Sequence, residues 1–218
     1  MFLVFFRLRN SNGTIRGELG IFDSRAAHRA AWILAGGRSS RMGTDKALIE
    51  VEGSTLLARV ASVVAQVCAS VTVVGDPNRY GESGFPVISD RFPGLGPLGG
   101  IEAALAATSA EANLIVACDM PNIRADALEE LFAAGGDIAV PRHEDHKLEP
   151  LCAVYSVRCH ARVREMLESG VRSVNAALRL LESDGFAIRY VRVPGDDTFA
   201  NLNTPDDLAH YDGKVGHG

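Results

Sequence analysis

Short apolar runs rich in β-branched residues alternate along this chain with stretches whose apolar positions recur every three to four residues. Residues 31–34 (AWIL), 71–74 (VTVV), 85–88 (FPVI), 114–117 (LIVA), 137–140 (DIAV) and 151–157 (LCAVYSV) read as strands, and LIVA is apolar enough to be buried on both faces. Between them, residues 55–67 (TLLARVASVVAQV) place Leu56, Leu57, Val60, Val63, Val64 and Val67 on one helical face. Residues 99–107, 128–134, 161–168 and 173–182 read as further helices. Residues 188–193 (IRYVRV) alternate like a strand near a sheet edge, and Thr204-Pro205 marks the cap and first turn of a last helix. This order predicts a mainly parallel sheet with helices on both faces, a three-layer α/β/α Rossmann-like architecture. Residues 1–29 show neither period. They are expected to form an N-terminal extension before a single domain over 30–218, with poor order favoured there over a strand pairing with something else.

Composition narrows the picture. At 218 residues, 47% hydrophobic and 22% charged, the chain suits one substantial folded core. Its net charge of −5 argues against a general nucleic-acid binder, which needs a basic surface. No apolar run approaches the ~20 residues needed to span a bilayer, and MFLVFF runs straight into RLRN with no small-residue cleavage site. The four cysteines form no CxxC pair. Cys68, Cys118 and Cys152 lie in apolar surroundings and are expected to be buried free thiols, which fits a reducing cytoplasm. His143 and His146 are not spaced with other ligand types, and solvent-exposed loop positions are expected for both.

The chemistry gathers in four stretches that follow strands or sit in loops, where open α/β sheets bind ligands. LAGGRSSRMGTDK, from Leu34 to Lys46, brings glycines, Arg38, Arg41 and Lys46 to the end of a buried strand. It is neither a G-x-G-x-x-G fingerprint nor a P-loop. The physics is nevertheless shared: glycines let backbone N–H groups approach an anion, and the cations add charge. DRFPGLGPLGGI, from Asp90 to Ile101, has four glycines and two prolines and calls for a shaped backbone. Asp90 there is placed either to cap a turn or to accept hydrogen bonds from a base or sugar, and Gly99-Gly100 offer a helix N-terminus to phosphate. Asp119 in CDMP stands at the carboxyl end of LIVA, well placed to hold Mg²⁺, which takes one or two carboxylates plus substrate phosphates. In FANLNTPDD, Asn201 and Asn203 alternate, so on an extended segment both amides point to one side; a role preceding the helix cap stands beside a substrate or metal role.

Taken in order, LAGGRSSRMGTDK, DRFPGLGPLGGI, CDMP, EPLCAVY and FANLNTPDDL resemble the molybdenum cofactor guanylyltransferases of the nucleotidyltransferase superfamily, from about Ala31 to Tyr211. The resemblance implies a nucleotidyltransferase fold and transfer of GMP from GTP to molybdenum-molybdopterin in a cytoplasmic protein. It implies that Leu34, Ala35 and Gly36 hold the guanine nucleotide, that Lys46 contacts its phosphates, and that Asp90 contributes to nucleotide binding. By the same resemblance Asp119 binds Mg²⁺ and GTP, Arg41 is a further phosphate contact, and Asn201 and Asn203 lie around the pterin and the reacting phosphates. Partners beyond the two substrates are expected to be proteins that deliver or insert the cofactor. Two departures stand out: Gly75 replaces an Asn that relatives often carry after the second strand, and Glu149 precedes Pro150 where some have His or Gln. Cytidylyl transfer to the same pterin and sugar-phosphate nucleotidyl transfer remain the competing chemistries, with Gly36-Gly37 favouring guanine. A non-catalytic nucleotide-sensing module on the same fold is the alternative of a different class.

Overall fold

Along Arg29–Leu34 successive side chains point to opposite faces of a strand, and both faces are apolar. Ala31 and Ile33 fall in one buried cluster, whereas Ala30 and Trp32 fall in another. That split sets the architecture: the strand must be covered on both sides. The computed structural model describes residues 2–9 and 15–22 by their backbone, and 26–36, 45–51, 53–192 and 198–199 with their side chains.

In chain order the strands and helices are β1 (Phe2–Arg9), β2 (Ile15–Phe22), β3 (Arg29–Leu34), β4 (Glu50–Val51), β5 (Ser54–Thr55), α1 (Leu56–Val64) and β6 (Ser70–Val74). There follow α2 (Pro77–Tyr80), β7 (Val87–Ile88), α3 (Pro97–Ala107), β8 (Ala112–Ala117) and α4 (Ala125–Ala134). The last are β9 (Ile138–Arg142), β10 (Cys152–Ser156), α5 (His160–Glu168), α6 (Val174–Ser183) and β11 (Ile188–Arg192). Seven strands form the central sheet in the order β11-β9-β10-β8-β3-β6-β7. All neighbours are parallel except β10, which runs antiparallel to both β8 and β9. The short link from Arg142 to Cys152 explains the exception, since a parallel return needs a crossover of about a dozen residues or more. Helices α1 and α4 cover one face, through Leu57, Val60, Leu128 and Leu131. Helices α3, α5 and α6 cover the other, through Leu98, Ile101, Val163, Met166 and Leu178. The expected three-layer, mainly parallel α/β/α architecture is what the chain adopts.

Local chemistry sets the element ends. Thr55 caps α1 by accepting a hydrogen bond from the Ala58 amide at 3.1 Å. The helix stops at Val64 rather than Val67 because the next turn tightens: the Gln66 and Val67 amides donate three residues back, to Val63 and Val64. The third strand shrinks to Val87–Ile88, as Pro86 has no N–H for the ladder. Residues 2–9 and 15–22, aperiodic in sequence, pair as an antiparallel hairpin from Phe2↔Phe22 to Arg9↔Ile15. Asn113, fully buried in β8, accepts from the Trp32 indole N–H at 3.1 Å and donates to the Ala110 carbonyl at 3.1 Å, so its burial is paired.

All four cysteines are buried and free. Burial pushes the thiols of Cys68, Cys118 and Cys159 up to about 12, and that of Cys152 up as well. Near neutral pH almost no thiolate is present, so native protein at pH 8 should react with a thiol reagent more than about 100-fold slower than guanidinium-unfolded protein. Rapid labelling of one cysteine in the native state would contradict this burial.

Candidate functional site

The parallel strands β3, β6, β7 and β8 end side by side, with Leu34 opposite both Val74 and Ala117. The ladder continues one residue past β3: the Ala35 amide donates to the Val74 carbonyl at 2.9 Å, and the Cys118 amide to the Leu34 carbonyl at 3.2 Å. Beyond this edge stand Gly36, Gly75, Asp90 and Asp119. From β3 the chain runs one way across the sheet to β6 and β7, then returns through α3 to β8 on the other side. The carboxyl end of β3 is therefore the point at which strand order reverses, where such sheets open a crevice.

Gly36 leaves β3 with φ of 134°, a conformation that L side chains rarely adopt. Arg41 lies in the following segment, outside the described residues. The chain is described again at Asp45, whose side chain accepts from the Ala47 amide at 3.1 Å and caps the tight turn Lys46–Leu48. That turn brings the Lys46 Nζ to 3.6 Å from the Asp119 Oδ2. Both side chains are mostly sheltered, at 17% and 21% exposure, so water screens their charges only in part. Burial raises the Asp119 carboxyl above the ordinary carboxylate range, the Lys46 ammonium pulls it back, and Glu149 adds a smaller upward push.

A second group of residues forms one wall. Asp90 accepts from the Phe92 amide at 2.7 Å, so one of its oxygens caps a turn. A Cβ on Gly99 would sit 2.9 and 3.0 Å from the two Asp90 oxygens, and one on Gly100 would sit 3.0 Å from the Leu34 side chain. The two glycines thus let α3 press against Asp90 and Leu34 together, which explains the glycine pair by close approach. The helix begins at Pro97, with Gly96 in a left-handed conformation before it, rather than at Gly99. Burial raises the Asp90 carboxyl, against the pull of the Phe92 amide.

On the other side of Asp119 lies Glu149, only 5% exposed. It is held by the His143 Nε2 at 3.1 Å and the Lys147 Nζ at 2.7 Å. His143 is therefore partly buried, against the expectation of a solvent-exposed position, because a buried carboxylate draws it in; His146 is exposed as expected. The Phe199 ring is buried and meets the His143 ring edge-on, with centroids 6.2 Å apart. Phe199 opens the segment that carries Asn201 and Asn203, and both asparagines lie outside the described residues. Sequence reasoning missed the buried role of Glu149 and the whole surroundings of Asp45. Their only local signal was a carboxylate in an apolar or glycine-rich context.

The donor chemistry fits a hard divalent cation. Asp119 offers carboxylate oxygens partly open to the crevice, and among the described residues no cluster of three or more histidines, cysteines or acids could cage a metal. Such an ion binds through one or two carboxylates plus ligand phosphates, and Asp119 could supply one of them. No helix among the described residues is long and apolar enough to cross a membrane.

Residues 31–183 match the model of the MobA-like NTP transferase domain. The chain is 40% identical over 181 residues to a probable molybdenum cofactor guanylyltransferase of Pelotomaculum thermopropionicum, covering 81% of this chain and 88% of the relative. It is 38% identical over 192 residues to the molybdenum cofactor guanylyltransferase of Rhodobacter capsulatus, covering 85% and 96%. Among solved structures it superposes with a TM-score of 0.72 on molybdopterin-guanine dinucleotide biosynthesis protein A from Archaeoglobus fulgidus, at 25% identity over 87% of this chain and all of that one.

Proposed function

The chain belongs to the MobA-like NTP transferase family, among the molybdenum cofactor guanylyltransferases, and from that premise we propose that it transfers GMP from GTP to the terminal phosphate of molybdenum-molybdopterin. The products are pyrophosphate and the molybdopterin guanine dinucleotide form of the cofactor. The observation that carries this reading is the Lys46–Asp119 pair, 3.6 Å apart at the carboxyl edge of β3 and β8.

The chemistry follows from charge. A phosphate oxygen of the acceptor attacks the α-phosphorus of GTP, a new P–O bond forms in line, and the bond to the β-phosphate oxygen breaks with its electron pair on pyrophosphate. The nucleophile is already an anion, so no strong base is needed; the site must position reactants and offset crowded negative charge. Lys46 faces the phosphates and balances the charge that builds on the leaving pyrophosphate, with Arg41 as a further contact. Leu34, Ala35 and Gly36 receive the guanine nucleotide, with Gly36 supplying the required turn. Asp90 keeps the glycine-rich wall in shape through its turn with Phe92 and lines the nucleotide side. Asn201 and Asn203 serve the pterin side. Asp119 would hold the divalent cation, Mg²⁺, which would supply Lewis-acid neutralisation of the triphosphate's charge. The protein acts in the cytoplasm, where cofactor-delivery and insertion proteins meet it transiently.

The deciding experiment measures pyrophosphate release from GTP and from CTP with molybdopterin and Mg²⁺. Release with GTP well above that with CTP is expected. Preference for CTP would replace guanylyl by cytidylyl transfer, and tight GTP binding without acceptor-dependent release would make the protein a nucleotide-sensing module.

A further inference from the structure

Tyr80 stands near both described ends of the segment that leaves β3. At its start, the Ala35 carbonyl lies over Gly75: a Cβ built there would stand 2.4 Å from that oxygen, and 2.6 and 2.7 Å from two carbons of the Tyr80 ring. At its end, the Tyr80 hydroxyl donates to the Asp45 Oδ2 at 2.7 Å. Tyr80 is 1% exposed, and it sits at the end of the short α2, which Asp76 caps by accepting from the Asn78 amide at 2.9 Å. A phenol so deeply buried needs a hydrogen-bond partner, and the one it finds is a carboxylate in the loop.

Asp45 in turn is fully occupied. Its Oδ2 also accepts from the Arg79 Nη1 at 2.9 Å, and its Oδ1 accepts from the Ala47 amide at 3.1 Å. The Arg79 side chain is 55% exposed, so its contact is solvent-screened, whereas the Tyr80 contact is sheltered. The carboxylate thus shapes the turn that contains the next residue, Lys46, whose Nζ reaches Asp119.

We propose that Tyr80 is a positioning residue: seated over Gly75, it latches Asp45 and so fixes Lys46 opposite Asp119 to receive the nucleotide triphosphate. Gly75 belongs to the device because any side chain there collides with both the ring and the Ala35 carbonyl. This inference rests on the nucleotidyl-transfer reading of the Lys46–Asp119 site.

The test uses Tyr80→Phe, which keeps the ring and its packing and removes only the hydroxyl, with Asp45→Asn as a second variant. Two readouts are taken: the Kd for GTP with Mg²⁺, and hydrogen exchange at the Ala47 amide without nucleotide. Each variant should raise the Kd about tenfold, the scale of one sheltered hydrogen bond to a charged group, and speed Ala47 exchange by a similar factor. Adding Tyr80→Phe to Lys46→Ala should change the Kd less than about twofold, because the positioned group is gone. Merely structural roles predict additive losses. Wild-type GTP affinity in Tyr80→Phe, unchanged Ala47 exchange, or full additivity with Lys46→Ala would each overturn the latch. Should the wild type itself bind no GTP, the guanylyl reading falls, and Ala47 exchange still decides whether the latch exists.

Discussion

Replacement of Lys46 by Ala is expected to lower kcat/KM for GMP transfer by about 10² or more, ~3 kcal/mol of lost transition-state stabilisation. Charge on the transferring phosphate shifts toward pyrophosphate as the bond breaks, and a sheltered ammonium interacts with that growing charge more strongly than with the resting triphosphate. The loss should therefore fall on kcat as well as KM. Lys46→Arg should recover only part of it, because a guanidinium presents a broad planar fork where the ammonium is a compact point charge. Initial rates of pyrophosphate release over a GTP series provide the measurement. Near-normal kcat in Lys46→Ala would remove this residue from the chemistry and leave it as a partner that holds Asp119 in place.

For Asp119→Ala an equal or greater fall is expected, again ~10² or more in kcat/KM, together with a shift of the Mg²⁺ dependence to higher concentration. Varying Mg²⁺ at fixed nucleotide separates the two effects. Asp119→Asn keeps the shape and removes the charge, and it carries a stability prediction of the opposite sign. Burial lifts the Asp119 carboxyl more than Lys46 lowers it. A carboxyl whose folded pKa lies above its unfolded value is stabilising only where it is protonated, below the unfolded pKa. Its charged form destabilises the fold as pH rises through the folded pKa. At pH 7 without nucleotide, Asp119→Asn should therefore unfold at the same temperature as wild type or higher, while activity collapses. A clear drop in Tm at pH 7 would show that the carboxylate is a structural partner of Lys46 first.

Much of the fold was legible because its signals are local. The faces of α1 and the two-sided apolarity of β8 are periodic patterns that any window of the chain displays, and the strand–helix order then dictates a mainly parallel sheet. The antiparallel β10 was legible only from a loop length. For the segment of the β1–β2 hairpin, strand pairing was the less favoured reading, since its residues carry no alternation. At the site, glycines and cations after a buried strand pointed only to an anion, and it was the resemblance that implied Leu34, Ala35, Gly36 and Lys46 as the nucleotide contacts. Arg41, taken by motif position, and Asn201 and Asn203, taken from their alternation and the resemblance, lie outside the described residues.

Sequence alone determined the family and Asp119 as the carboxylate at a strand end, because motif order and residue chemistry survive without coordinates. Only the tertiary structure decided that Lys46 and Asp119 meet, since parallel register lays the ends of β3 and β8 side by side. It alone also showed Gly75 as room for a ring, Tyr80 as the partner of Asp45, and His143 drawn inward by Glu149. A buried polar group must find its partner wherever the packed chain places one, and that distance is set by the fold rather than by spacing along the sequence.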